Sequence, residues 1–201
     1  METTRDISSL FDDPTYSDLV VVANDRKWHC HKCIVFTISE RLHDFCRTSF
    51  KAGGKDEICL TDYGAPSIER MLRFMYGSSE ADLFDDHSPH VYIGITTVAY
   101  EFGLPELLEM GISGLRQALE QEKNAKQLVY YIDWMRHPYI DEIDELLDLA
   151  DEVEFERMHE MLEDDEARSD MRSATIKAYF DRVLITKKKG VTPGRPLGPD
   201  E

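Results

Sequence analysis

The 201-residue chain has no long uncharged apolar run, and hence no candidate membrane-spanning helix. Its first ten residues hold no apolar stretch of the kind a secretory signal needs. Basic residues are scarce: 23 Lys and Arg stand against 40 Asp and Glu, a net charge of -17. Nucleic acid binding requires clustered Lys or Arg to displace counterions, so this balance argues against it, and it equally disfavours anionic membrane surfaces. The equipment of common catalysts is missing too. There is no G-x-S-x-G elbow and no glycine-rich phosphate loop; Gly53-Gly54 precedes a β-like run, the wrong order for a phosphate cradle. The acidic stretch 141–166, with 14 Asp or Glu and one Arg, lacks the alternating pattern of a calcium loop. No enzyme and no cofactor are expected. An intracellular protein, cytoplasmic or nuclear, is the default expectation.

What is present is a core-forming chain, 42% hydrophobic. Leu19 to Ala23 is a β-branched run, Asn24-Asp25 is a turn, and Arg26 to Cys30 is a second run, together a hairpin. A helix is expected over 31–38. Ser39 is suited to cap the next one, on which Leu42, Phe45 and Cys46 share a face. A short strand is expected at 57–60. Pro66 suits the start of a helix carrying Ile68, Met71, Leu72 and Met75. Residues 77–89 read as a polar loop. Val91, Ile95, Val98, Ala99 and Phe102 form the next stripe, ended by Gly103. Leu104, Leu108, Ile112, Leu115 and Leu119 carry it onward. Further stripes follow at Ala125, Leu128, Val129, Ile132 and Met135, and at Ile143, Leu146, Leu147, Ala150 and Val153. A last helical segment is expected over 174–185. The fold class is therefore α+β, a small sheet of three or more strands capped by helices and followed by an all-helical extension.

Several short segments resemble the BTB/POZ family in order and spacing. Tyr16-Ser17-Asp18-Leu19-Val20-Val21-Val22 resembles its opening strand, and His31-Lys32-Cys33-Ile34-Val35 its first helix. Ser39-Glu40-Arg41-Leu42, Ile58-Cys59-Leu60-Thr61-Asp62, Leu72-Arg73-Phe74-Met75-Tyr76-Gly77 and Val98 to Leu107 resemble its later segments. The resemblance covers 15–121. It sets an expected organisation of a flexible arm at 1–14, a BTB/POZ domain at 15–121, a helical extension of fungal type at 122–186 and a disordered tail at 187–201. It implies a protein-interaction module without catalytic activity, whose members form homodimers, hetero-oligomers or adaptor complexes with a cullin-type ubiquitin ligase scaffold.

Candidate site residues follow from both readings. The helix at 31–38 is apolar on all sides, so it needs burial on all sides. A second copy could cover its outer face, or the C-terminal helices of the same chain could. In the resembled family, an acid on the first strand and a base after the His of the first helix line a charged pocket at the dimer interface. Asp18 and Lys32 match, and with His31, Ile34 and Val35 they form the expected interface. The hydrophobic-x-Glu motif of cullin binders is represented by Phe50-Lys51-Ala52, without the Glu. Phe50 and Tyr76 are the candidate cullin-facing residues. Zinc is a weaker alternative: His29, Cys30, His31 and Cys33 crowd into five residues, whereas zinc usually takes separated pairs. No metal site is expected, and the four cysteines are expected to be reduced, mostly as small core hydrophobes. Lys187-Lys188-Lys189 resembles a minimal nuclear import cluster.

Overall fold

The computed structural model describes residues 7–49, 56–140, 142–171 and Ile176. The hairpin forms as the sequence indicates, with β1 at Leu19–Ala23 and β2 at Arg26–Cys30. Asn24, at φ 52°, supplies the left-handed turn residue. Leu19, Val21 and Ala23 are buried on one face, opposite Trp28 and Cys30 of β2. β3, Asp56–Cys59, lies parallel on the other side of β1, with Val21 opposite Ile58, so the sheet order is β2-β1-β3.

The two helices that link β2 to β3 are α1, Lys32–Ile38, and α2, Glu40–Ser49. Ser39 joins them and is fully buried. Its hydroxyl accepts the Leu42 amide at 3.1 Å, an N-cap, and donates to the Phe102 carbonyl at 2.6 Å. The remaining elements among the described residues are helices: α3, Ala65–Met75; α4, Glu80–Leu83; α5, Pro89–Glu101; α6, Pro105–Gln121; α7, Ala125–Met135; α8, Asp144–Glu163; and α9, Asp165–Asp170. Every residue of the expected stripes on α3 and α7 is buried.

Four local expectations are corrected. The loop at 77–89 contains α4, capped by the Ser79 hydroxyl, and Leu83 and Phe84 are buried within it. Phe84 stacks on Tyr92 with centroids 5.0 Å apart, which draws this polar stretch onto the core. On α6 the buried face is Leu104, Leu107, Gly111, Leu115 and Leu119, so Leu108 and Ile112 lie off it, half-buried. On α2, Leu42 and Cys46 are buried while Phe45 stays 41% exposed. The described part of the expected flexible arm is packed. Ser8–Leu10 forms a single 3-10 turn, and Phe11 sits edge-on to Tyr76 with the Arg73 guanidinium 4.8 Å over its ring. The Asp12 carboxylate accepts the His29 amide at 2.9 Å. Expectations for Phe50, Gly53-Gly54, 177–185 and 187–201 lie outside the described residues.

The extension joins the first part of the chain through α5 and α6. Arg157 on α8 donates to the carbonyls of Leu119 and Glu122, closing the orphan end of α6, and pairs with Glu160. Arg136 on α7 bridges Asp151 and Glu154. The α5–α6 contact depends on glycine: a Cβ at Gly111 would lie 2.5 Å from Thr96 Oγ1 and 3.4 Å from its backbone nitrogen. Gly111→Ala is therefore expected to destabilise the fold by about 1–3 kcal/mol by overpacking, despite the better helix propensity of Ala. Urea denaturation monitored by circular dichroism measures this.

Candidate interaction surface

Asp18 and the His31 turn set the start of α1. The His31 side chain makes no cap bond to its own helix. Asp18, just before β1, supplies one instead: its Oδ1 accepts the Lys32 amide at 2.8 Å. A carboxylate at a helix start also suits the helix dipole. The Lys32 ammonium turns to the Asp56 carboxylate, and that hydrogen bond holds it above the usual lysine range, with a smaller contribution from Asp18. Asp18 and Lys32 thus do meet, through carboxylate and backbone, while the side-chain ion pair belongs to Asp56. Sequence reasoning missed Asp56 because its position depends on β3 running parallel to β1, with Leu19 opposite Asp56.

His31 is buried and both its ring nitrogens are engaged. Nε2 lies 3.0 Å from the Thr15 carbonyl, which can only accept, so Nε2 carries a proton. The Tyr76 hydroxyl accepts the His31 backbone N–H at 2.8 Å and, 3.0 Å from Nδ1, donates to it in the neutral imidazole. Tyr76 is fully buried, so the expectation that it faces a partner is replaced by an internal role. The Cys30 thiol lies against the same hydroxyl, and burial pushes it up to about 12. Burial likewise raises the Tyr76 phenol.

Zinc ligands do not converge here. Cys30 points into the core, the His31 ring is committed to Thr15 and Tyr76, and Cys33 is exposed. Among the described residues no group of three or more His, Cys, Asp or Glu side chains could hold a metal ion. The four cysteines are free; Cys30 and Cys46 are buried as expected, whereas Cys33 and Cys59 are exposed.

The outer face of α1 is the main apolar surface on this side. Of the helix only Val35 is buried. Ile34 and Phe36 are half-buried, and Ile38 is 41% exposed. Phe36 lies 5.2 Å from the His43 ring, and Phe45 on α2 adds a second exposed aromatic. α1 packs chiefly against α2 and α3, while α7, α8 and α9 pack with one another and on α5 and α6.

A family model for the BTB/POZ domain matches residues 7–111. Comparison with curated proteins gives no match. The match spans more than half of the chain, and the chain belongs to the BTB/POZ domain family, whose domains are protein–protein interaction modules. The match begins at the 3-10 turn and ends on α6, so the packed residues before Thr15 fall within it. No helix among the described residues is long and apolar enough to cross a membrane.

Two outcomes check the His31–Tyr76 node. Tyr76→Phe leaves the buried His31 amide and Nδ1 without their partner, and is expected to cost about 1–3 kcal/mol in chemical denaturation. The native state holds the Cys30 and Tyr76 protons above the pH at which the unfolded chain releases them. Their contribution to stability is fully present below the ordinary thiol range and is lost as pH rises toward about 12. Denaturation midpoints measured from pH 7 upward are expected to fall once pH exceeds that of an ordinary thiol.

Proposed function

We propose that this chain is a self-associating BTB module whose contact surface is the outer face of α1 with the adjoining part of α2. The observation that carries the reading is the exposure of Ile38 and Phe45, at 41% each, beside half-buried Ile34 and Phe36 on a helix with one buried residue. Burying the part of such side chains still exposed contributes about 1 kcal/mol each, and an isologous contact uses each residue twice. Asp18, His31 and Lys32 set the angle of this face, and Val35 anchors it from beneath. As a homodimer, or within a larger scaffold, the module would leave the extension free for a further protein partner. The cullin-adaptor reading has less behind it. The stretch Phe50-Lys51-Ala52 lacks the carboxylate of the cullin-binding motif, and Tyr76 is buried.

Light scattering tests the proposal. The intact chain is expected to give twice its 23.2 kDa mass. Ile38→Asp, with unchanged circular dichroism, is expected to weaken self-association at least about a hundredfold by placing a charge in each half of the contact. Added salt is expected to tighten the pair, because it screens repulsion between two chains of net charge -17, whereas it would loosen a complex with a basic partner. A single-chain mass at every concentration and salt level overturns it.

A further inference from the structure

A groove of about 580 Å³ opens where the first part of the chain meets the extension. It is lined by three aromatic residues, Tyr63, Trp134 and Tyr139, and by the small residues Gly64, Ser67 and Gly94. At Gly94 a Cβ would lie 2.5 Å from Ser67 Oγ, so helix and turn approach closely there. The aromatics are held in place from behind. His90 meets the Trp134 ring edge-on at 4.8 Å, His137 stacks on Tyr139 at 5.1 Å, and Phe102 packs edge-on to Tyr63 at 5.4 Å. Yet Tyr139 is 91% exposed, and the Trp134 indole N–H and the Tyr63 and Tyr139 hydroxyls make no hydrogen bond among the described residues. Asp62 lies in the lining, and it and Glu101 add negative charge beside Tyr63, whose phenol burial pushes up to about 12. A groove lined by aromatic side chains with free donors and an acidic edge is what a polyproline II segment needs. Its rings seat between aromatics, its backbone carbonyls are unpaired acceptors, and a flanking base meets the acid.

The chain carries such a segment. Residues 193–199 read Pro-Gly-Arg-Pro-Leu-Gly-Pro, with proline at every third position. Polyproline II turns once every three residues, so in that conformation Pro193, Pro196 and Pro199 would share one ridge, with Arg195 beside it. Lys187, Lys188 and Lys189 precede this ridge in a chain of net charge -17. We propose that the groove between α5, α7 and the Tyr63 turn is the docking site of the chain's own segment 190–199, bound as a polyproline II helix. Ile176 is packed against the core, and from there to Pro193 the chain spans up to about 50 Å at about 3.1 Å per residue. α7, which lies between α9 and the groove, is about 17 Å long at 1.5 Å per residue.

Acrylamide quenching of tryptophan fluorescence in the full chain tests this. Trp28 is 1% exposed, so Trp134 supplies the quenchable signal, and Trp134→Phe checks that assignment. Replacing Pro193, Pro196 and Pro199 together by Ala removes the ring contacts and is expected to shift docking about tenfold, read as a two- to threefold rise in quenching. Thr186→Ala, outside that segment, is expected to leave quenching unchanged. Equal quenching in the intact chain and the triple variant, with the same circular dichroism, overturns the proposal. Protection of Trp134 that disappears on dilution also overturns it, because the segment would then come from a second copy.

Discussion

The Tyr76 hydroxyl, sitting past the end of α3, accepts the His31 amide, contacts the His31 ring and touches the Cys30 thiol. It therefore ties three successive pieces together: the end of β2, the start of α1 and the helix packed beneath them. In a buried, low-dielectric setting each of these groups would be costly to leave unpaired, so the chain leaves β2 in one direction. Asp18 then completes the first turn of α1 at the Lys32 amide, and Asp56 receives the Lys32 ammonium. With its first turn fixed, α1 sinks Val35, packs Ile34 and Phe36 partly against the core and leaves Cys33, Thr37 and Ile38 exposed. The apolar surface follows from the geometry of that node rather than from any residue being placed at random on the outside.

The extension stabilises a different part of the molecule. Arg157 closes the end of α6, Arg136 draws α7 and α8 together, and the aromatic groove forms as a consequence of that docking. Its acidic face is solvated and carries most of the charge that repels other copies at long range. A surface of that kind favours recognition by apolar contact on α1 and leaves basic segments as the natural ligands of the rest. The two proposed surfaces lie one near the sheet of the BTB/POZ domain and one at its junction with the appended helices.

Much of this was legible in the residues themselves. The β-branched run before Asn24-Asp25 marks the hairpin, proline and glycine punctuate α3, α5 and α6, and Ser39 announces the cap of α2. The misreadings share a cause: each residue's position was decided by a distant part of the chain. The buried stripe of α6 centres on Gly111, which no hydrophobic pattern marks, because close approach to Thr96 decides the face. α4 is too polar to signal itself and is held by Phe84 on Tyr92 and by Arg70 on the Leu83 carbonyl. Phe11 and Asp12 look like a mobile arm until Tyr76, Arg73 and the His29 amide are seen to hold them. Of the candidate site, Asp18, His31 and Lys32 are named by resemblance, whereas the place of Asp56 and the burial of Tyr76 depend on strand order and helix packing that spacing does not encode.

The central claim is that the outer face of α1 is covered by another polypeptide in solution. Cys33 reports on that face directly, being exposed in the single chain. Its rate of modification by a thiol reagent, followed by peptide mass spectrometry over a wide range of protein concentration, is the most direct measurement. The account predicts a rate that falls as concentration rises and recovers on dilution. A Cys33 rate that is the same at every concentration contradicts it.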